Sequence, residues 1–422
     1  MSSTVLSGQK LSYGSLTGEQ QAAITRLVEY DETLLVAPVG FGKAIIGLTA
    51  LQELLDSGVI SRALVLAPLK VATLTWGTEP GKWEHIDEDL VALAVGDAEE
   101  RNTVHNSSAQ VVVTNFDNVE DLRNLSGRYD AILIDESTKL KTVGGEWAKV
   151  LRYFVKKLSW RCCMTATPVA ESAVDMYGQA LLTDLGRALG TRQEAFRRRY
   201  MTPVDYKGYR WELMPGQEHE LAAALADLVY IPSTGDYTAG LPALESHEVV
   251  VAKSSGQRAL RKHQIAAGVL YGDRTRVVWQ HPAKIEHAAR MAMANNRPTV
   301  IVYQYRAELQ SLQKRFPDAP VLGGGATKAS ASQIDEWNRG EHLVLLMHPA
   351  SASHGINLQY GGHEIILLSP IFGADPWGQT VGRLRRRGQP SRVVTRTVLL
   401  AEDSCDGASM NRLEEKATEE GR

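Results

Sequence analysis

The stretch Val36-Ala-Pro-Val-Gly-Phe-Gly-Lys43 joins an apolar strand to a glycine-rich turn, and Ala44-Ile-Ile-Gly-Leu-Thr-Ala-Leu51 continues from it as a buried helix. This order is typical of phosphate-binding loops, because glycines let backbone N–H groups approach an anion and the helix N-terminus adds positive potential. The pattern predicts a nucleotide site formed by six consecutive residues: Val39, Gly40, Phe41, Gly42, Lys43 and Ala44. A glycine turn that serves only chain geometry is the alternative at this point.

Short apolar strands alternate with helical segments along the chain. Five are predicted in the first half: Leu34–Pro38, Ala63–Pro68, Gln110–Thr114, Ala131–Asp135 and Arg161–Thr165. Five more are predicted in the second half: Thr299–Tyr303, Pro320–Leu322, His342–His348, Glu364–Ser369 and Arg392–Leu399. The alternation predicts an α/β fold with parallel sheets and functional residues at the carboxyl ends of the strands.

The two series of strands predict two lobes in a chain of 422 residues. We expect a first lobe over residues 1–184, a helical and linker region over 185–293, and a second lobe over 294–422. The middle region is charged and lacks the alternation, and its stretch Pro232–Pro242 is rich in turn-forming residues.

Composition indicates a soluble globular protein, with 44% hydrophobic and 23% charged residues. No apolar stretch approaches the ~20 residues of a membrane span, so we expect no membrane partner. The three cysteines and an N-terminus without a secretory pattern predict a cytoplasmic chain with reduced thiols. A net charge of −3 does not exclude nucleic-acid binding, which depends on local charge. The basic runs Arg197–Arg199 and Arg383–Arg387 suit such binding, and a solvated helix face is the alternative for either.

Two acidic residues end the apolar strand Ala131-Ile-Leu-Ile-Asp135-Glu136. In a phosphate-loop enzyme the first acid at such a position holds Mg²⁺, and the second orients and deprotonates the attacking water. A solvated strand end is the alternative. Residue 44, where a hydroxyl would also ligate Mg²⁺, is alanine. Because Mg²⁺ commonly keeps several waters, we expect Ala44 to slow hydrolysis rather than to abolish it.

Further motifs follow in a fixed order: Met164-Thr-Ala-Thr-Pro168, then Gln379-Thr-Val-Gly-Arg383-Leu-Arg-Arg386-Arg-Gly388-Gln389. With the phosphate loop and the Asp-Glu pair, they resemble the ordered motifs of superfamily 2 helicases, in particular the short Swi/Snf-type DNA translocases of phages and bacteria. Supporting passages are Ala67-Pro-Leu-Lys-Val-Ala-Thr-Leu-Thr-Trp76, Asp175-Met-Tyr-Gly-Gln179 and the run from His348 to His363. The resemblance extends from about Leu16 to about Ala401, and it implies two RecA-like lobes.

The resemblance also implies roles in the first lobe. Gln20 matches a glutamine that reads the adenine edge, Lys43 binds phosphate, Asp135 holds Mg²⁺ and Glu136 is the general base. The implied cofactors are therefore ATP and Mg²⁺.

In the second lobe, Gly355, Asn357 and Gln379 match residues that face the nucleotide. Arg383 and Arg386 match arginines that reach the γ-phosphate. Since they are three residues apart, we expect both to lie on a helix that follows Gln379.

Double-stranded DNA is the implied partner, gripped through its phosphates. The candidate contacts are Thr73, Thr114, Asn115, Thr165, His348 and Ser351. Trp76 and Trp83 could stack on bases, but packing beneath the first lobe is the preferred interpretation of both.

These features together predict an ATP-dependent translocase on duplex DNA that closes two lobes on ATP and unwinds little. Two alternatives stay open: a nucleotide-gated DNA clamp that scarcely hydrolyses ATP because of Ala44, and a strand-separating or fork-remodelling helicase. We expect a monomer when the protein is free, located in the host cytoplasm if a phage encodes it. Protein partners and the DNA process served are not indicated by the sequence.

Overall fold

The computed structural model divides into two compact units, Met1–Ala239 and Gly240–Arg422. It describes residues 10–141, 145–169, 173–204, 211–235, 240–251, 262–271, 277–323, 331–352, 356–371, 374–402, 404–411 and 413. The three-part division at residues 184 and 293 stays a prediction. Within the described ranges, no helix is both long and apolar enough to cross a membrane.

The first unit contains nine strands and eight α-helices among its described residues. The strands are β1 Glu32–Val36, β2 Ala63–Ala67, β3 Val91–Ala94, β4 Val111–Asn115, β5 Ala131–Asp135, β6 Trp160–Thr165, β7 Met201–Pro203, β8 Trp211–Leu213 and β9 Val229–Tyr230. The helices are α1 Gly18–Glu29, α2 Lys43–Asp56, α3 Leu69–Val71, α4 Ala98–His105, α5 Glu146–Val155, α6 Val174–Asp184, α7 Gln193–Tyr200 and α8 Glu218–Leu225. Shorter turns are the 3₁₀ segments Tyr13–Ser15, Pro80–Lys82, Phe116–Asn124 and Ser137–Lys141 and the π-helix Ala72–Trp76.

Seven strands form one parallel sheet in the order β3-β4-β2-β5-β6-β1-β9. Strands β2, β4, β5 and β6 are buried along their whole length, as expected for a parallel sheet covered by helices on both faces. Because all carboxyl ends lie at one edge, the loop after β1, the acids that end β5 and the turn after β6 lie near one another. Strands β7 and β8 pair separately as an antiparallel hairpin.

Helix α2 is one of the most buried helices of the first unit. Its apolar residues occupy every face, and nine of its fourteen residues are buried. Helix α1, by contrast, buries Ala23, Ile24 and Leu27 on one side and packs against α2. A capping box between Thr17 and Gln20 begins α1, because each residue's side chain accepts a hydrogen bond from the other's backbone N–H.

The second unit repeats the architecture. Its strands are β10 Ala243–Val251, β11 Val269–Tyr271, β12 Val277–Gln280, β13 Thr299–Val302, β14 Val321–Leu322, β15 Val344–Met347, β16 Glu364–Leu367 and β17 Val393–Ala401. Its α-helices are α9 Lys262–Ala266, α10 Ala283–Asn295, α11 Arg306–Arg315, α12 Ala331–Asn338, α13 Pro349–Ala352 and α14 Ala374–Val381. Six strands form a parallel sheet in the order β10-β17-β16-β13-β15-β14, and β11 pairs with β12 antiparallel.

The predicted fold class, α/β with two RecA-like lobes, is confirmed by the two parallel sheets. All ten predicted strands are present, and their ends differ from the predicted ones by at most two residues. Additional strands lie in the region predicted to be helical. In particular, β9 joins the first sheet, and the nine-residue β10 pairs along the whole of β17 in the second.

Candidate nucleotide site

The phosphate loop leaves the buried strand β1 and enters α2 through two left-handed glycines. Gly40 has φ 85° and Gly42, the residue that caps α2, has φ 90°. Only glycine adopts these angles without strain, and the turn directs the chain straight into the N-terminus of α2. The N–H of Ala37 donates to the carbonyl of Thr165 at 3.0 Å. The loop is therefore held to the end of β6, beside the acidic residues of β5.

Lys43 is the first residue of α2, and its ammonium group lies across the loop. Nζ donates to the carbonyl oxygens of Ala37 at 3.0 Å and Pro38 at 3.3 Å. These carbonyls hold the cation where a phosphate group bound by the loop amides would meet it. A lysine ammonium group is a point charge, which suits it to exchange carbonyl oxygens for phosphate oxygens.

Gln20 closes the other side of the loop. Its Nε2 donates to the carbonyl of Phe41 at 2.7 Å, and its Oε1 accepts from the N–H of Thr17 at 2.9 Å. A Cβ on Gly42 would lie 2.6 Å from Gln20 Nε2, so the missing side chain at 42 is what admits the amide. An amide carries a second N–H and a further lone pair, which suits it to pair with an adenine edge.

Asp135 is the buried end of β5, and both of its carboxylate oxygens accept hydrogen bonds. Oδ1 accepts from the backbone N–H of Glu136 at 2.9 Å, and Oδ2 accepts from the indole Nε1 of Trp76 at 3.0 Å. Burial raises the pKa of Asp135, while the Lys43 charge and these two hydrogen bonds oppose that rise. A dry carboxylate of this kind favours a divalent cation, which stabilises its charged form.

Glu136 occupies a strained conformation. Its φ of 54° is one of three positive values for non-glycine residues in the described structure. Such backbone costs of order 1–3 kcal/mol and clusters at functional sites, where the surrounding structure enforces it. The turn places Glu136 immediately after Asp135, as the role of general base that the resemblance implies would require.

The site fits a magnesium nucleotide with one weakness. The loop, Lys43 and Asp135 supply amides, a cation and a carboxylate, whereas Ala44 supplies no hydroxyl. The described residues contain no cluster of three or more histidine, cysteine or acidic side chains that could hold a metal ion by themselves. Asp135 is therefore the side chain on this unit that would ligate Mg²⁺, with the nucleotide and water supplying the rest.

Two hydrogen-bonded links join the acidic turn to the Thr165–Pro168 turn. Thr138 Oγ1 shares a hydrogen bond with Thr165 Oγ1 at 2.7 Å and donates to the carbonyl of Thr167 at 3.2 Å. Gln179 accepts from the hydroxyl of Ser137 at 2.7 Å and donates to the carbonyl of Pro168 at 2.7 Å. The two turns are therefore in direct contact through side-chain hydrogen bonds.

Sequence reasoning assigned no role in the nucleotide site to three of these residues, although it correctly expected Trp76 to pack in the first lobe. Gln179 and Trp76 stand in passages that carry the family resemblance, but nothing in the sequence assigned a partner to either. Thr138 follows the acids by two residues, and its partner Thr165 is 27 residues further on.

The candidate DNA contacts differ in how available their side chains are. In the first unit, the Thr73 hydroxyl donates to the carbonyl of Leu69 at 3.0 Å at a partly exposed site. Thr114 and Thr165 are fully buried, and the Thr114 hydroxyl donates to the carbonyl of Ala94 at 2.9 Å. Burial leaves these two hydroxyls without access to a phosphate, so the geometry supports only backbone contacts there.

The remaining candidates are one residue of the first unit and two of the second. Asn115 is buried at the end of β4, where its Nδ2 donates to Asp117 at 3.2 Å. In the second unit, His348 packs edge-on against Tyr303, with ring centroids 5.6 Å apart. Ser351 lies in α13, but its side chain is outside the described part of the structure.

The second unit brings together two of its predicted nucleotide residues. Arg386 Nη1 donates to Oδ1 of Asn357. Gln379, within α14, and Arg383, just beyond it, are both buried. Gly355 lies outside the described residues.

The prediction that one helix carries both Arg383 and Arg386 is wrong. Helix α14 ends at Val381, and Arg383 and Arg386 lie in successive turns beyond it. In the second turn, the N–H of Arg386 donates a hydrogen bond to the carbonyl of Leu384 at 3.0 Å. Gly382, which directly follows α14, is a poor helix former. Leu384, between the two arginines, is fully buried in the segment that follows α14.

Comparisons with known proteins identify relatives of this chain. Residues 14–170 match the model for the type III restriction enzyme res subunit. Putative protein p41 of Acyrthosiphon pisum secondary endosymbiont phage 1 is 29% identical over 94% of this chain and 95% of its own length. The uncharacterized ATP-dependent helicase YqhH of Bacillus subtilis is 24% identical over 86% of this chain and 71% of its own.

Among solved structures, the Sulfolobus solfataricus SWI2/SNF2 ATPase core in complex with dsDNA aligns with a TM-score of 0.49 and 18% identity. The alignment covers 95% of this chain and 90% of that one. The family model and the relatives agree with the resemblance that the ordered motifs indicate: the chain is similar to superfamily 2 helicases.

Proposed function

We propose that this protein is an ATP-dependent translocase that moves along double-stranded DNA. The observation that carries the proposal is the direct hydrogen bonding between the Asp135–Glu136 turn and the Thr165 turn, through Thr138 and Gln179. A protein that only stored a nucleotide would need no such link. A motor needs one, because DNA must control hydrolysis and hydrolysis must change the grip on DNA.

In the proposed reaction the loop amides and Lys43 bind the outer phosphates and neutralise their charge. Asp135 would hold Mg²⁺, which neutralises the charge that develops on the phosphoryl oxygens. Glu136 orients the attacking water and accepts its proton. Gln20 contacts the adenine edge, and its hydrogen bond to the Phe41 carbonyl ties base recognition to loop shape.

The second unit carries further residues that we propose to act on the nucleotide. Arg383 and Arg386 would contact the γ-phosphate when the two units close on ATP, with Asn357 orienting Arg386. An arginine supplied in this way contributes about 10³–10⁵ in rate in comparable phosphoryl-transfer enzymes. Gly355 and Gln379 would line the same face of the nucleotide. Closure then shifts one unit along the duplex, and hydrolysis releases it.

Support for DNA as the track comes from the relatives. One relative is described as an ATP-dependent helicase, and the matching family model is that of a restriction enzyme subunit. Thr73, the backbone at 114–115 and 165, His348 and Ser351 are the proposed phosphate contacts. Because phosphate contacts carry no base information, binding should tolerate any sequence and weaken steeply with salt.

Phosphate release measured with duplex and with single strands of equal length tests the proposal. We expect duplex to stimulate turnover more than single strands. Preferential stimulation by single strands would overturn the duplex-tracking mechanism and favour a strand-separating helicase.

Ala44 favours a second candidate, a nucleotide-gated DNA clamp. In a clamp, ATP would tighten DNA binding without measurable phosphate release. Phosphate release that rises on addition of duplex rejects the clamp.

A further inference from the structure

Trp76 contacts the proposed metal ligand rather than solvent or a base. Its side chain is fully buried, and its indole Nε1 donates to Oδ2 of Asp135 at 3.0 Å. The other oxygen of Asp135 accepts from the backbone N–H of Glu136 at 2.9 Å. With one donor on each oxygen, the carboxylate plane is fixed, and each oxygen keeps a lone pair for a cation.

The local backbone holds the indole in this position. Trp76 ends the five-residue π-helix Ala72–Trp76, whose wide turn is closed by the N–H of Gly77 on the carbonyl of Ala72 at 3.0 Å. Single π-turns of this kind are rare and occur frequently at functional sites. A regular α-turn would rotate the last side chain away from β5.

The far edge of the indole lies against Gly47 of α2. A Cβ at position 47 would be 2.9 Å from Cη2 of Trp76 and 2.8 Å from Cδ1 of Leu133. Glycine at 47 is therefore needed for the indole to reach Asp135. Residues from α2, β5 and the π-helix together determine one hydrogen bond.

We propose that Trp76 is a positioning residue, whose indole N–H orients the Asp135 carboxylate for Mg²⁺ and so offsets part of the loss of a hydroxyl at Ala44. The inference rests on the proposed function only in taking Asp135 as the metal ligand. Where a hydroxyl and a carboxylate both ligate the metal, one ligand still holds the cation when the other is poorly oriented. Here the orientation of the single carboxylate decides how well the cation is held.

The chain offers a matched control for the loss of a buried indole N–H. Trp160, on β6, is 1% exposed, and its Nε1 donates to the carbonyl of Leu27 at 2.9 Å, with no contact to the acids. Trp76→Phe and Trp160→Phe therefore each remove one buried indole hydrogen bond and keep an aromatic ring. Only Trp76→Phe removes a hydrogen bond to Asp135.

The experiment measures binding of a fluorescent ATP analogue to the full chain while Mg²⁺ is titrated. Trp76→Phe should raise the Mg²⁺ concentration for half-maximal binding by about 10-fold, the loss typical of residues that orient a metal ligand. Affinity for the nucleotide in EDTA should stay unchanged, and Trp160→Phe should match the wild type in both measurements. Equal Mg²⁺ requirements in the wild type and Trp76→Phe would overturn the inference, as would an equal shift in both variants.

Gly47→Ala provides a second test that keeps Trp76 and Asp135 in the chain. Its added Cβ should push the indole aside and raise the Mg²⁺ requirement in the same direction, and an unchanged requirement would contradict the inference. Turnover plays no part in this readout. A protein that binds magnesium nucleotide in this way but is not stimulated by duplex would refute the proposed function alone, whereas one that binds no nucleotide would refute both.

Discussion

Gly42→Ala should disturb the nucleotide loop in two separable ways. The φ of 90° would place alanine in the left-handed region, at a cost of about 1–2 kcal/mol. The new Cβ would also lie 2.6 Å from Gln20 Nε2 and displace the amide from the Phe41 carbonyl. Loss of that hydrogen bond adds about 1 kcal/mol, so the total is about 2–3 kcal/mol.

Gly58→Ala separates the two effects. Gly58 follows the other end of α2 and has φ 71°, and a Cβ added there would meet no atom within 4 Å. Its substitution should therefore cost only the backbone contribution, about 1–2 kcal/mol. Since the two glycines flank the same helix, hydrogen exchange in peptides that cover α2 measures the loss of protection in both variants, and the two losses can be compared directly.

We expect lower protection of α2 and weaker adenine-nucleotide binding in Gly42→Ala than in Gly58→Ala, whose nucleotide affinity should equal that of the wild type. If the two variants lose equal protection and both bind nucleotide normally, Gln20 does not depend on the missing side chain at 42. Base recognition through the loop would then be refuted.

Three further predictions address the metal, the arginines and pH. Ala44→Thr should raise turnover at saturating ATP more than it changes nucleotide affinity, because a Mg²⁺ ligand matters most as charge shifts in the transition state, and unchanged turnover would contradict this. Arg386→Ala should abolish most duplex-stimulated turnover and leave ATP binding nearly intact, whereas Lys43→Ala should weaken binding itself; equal losses of affinity would make Arg386 a ground-state binder. Burial lowers the pKa of His105 to about 4 from 6.5, so its contribution to stability is complete above about pH 6.5 and is lost as pH falls toward 4. At 1.36 kcal/mol for each pKa unit this is about 3 kcal/mol, and His105→Gln should flatten that part of the urea-unfolding profile, while an unaltered profile would exclude His105 as its cause.

The first sheet was largely predictable, because buried parallel strands leave continuous apolar runs. Strand Ala131–Asp135 has the predicted bounds, and the loop from Val39 to Lys43 has the predicted position between strand and helix. Strand β10 was not predicted. Most of its residues are exposed, and its one apolar run is Val249–Val251 at its end. The strand forms by pairing with β17, about 150 residues later in the chain.

The hydrogen-bond partners in the site could not be predicted from local pattern. Trp76 and Asp135 are 59 residues apart and meet only because β2 and β5 are neighbours in the sheet. The π-turn that aims the indole has no sequence signature of its own. Similarly, the end of α14 at Val381 depends on how Leu384 is buried, which only the tertiary structure shows.

Displacement of a triplex-forming strand from duplex DNA tests the central claim most directly. A protein that tracks duplex should displace the third strand with ATP and Mg²⁺, should fail with a non-hydrolysable analogue, and should leave a forked duplex of equal length paired. Unwinding of the fork without triplex displacement, or no displacement despite duplex-stimulated phosphate release, would contradict the account.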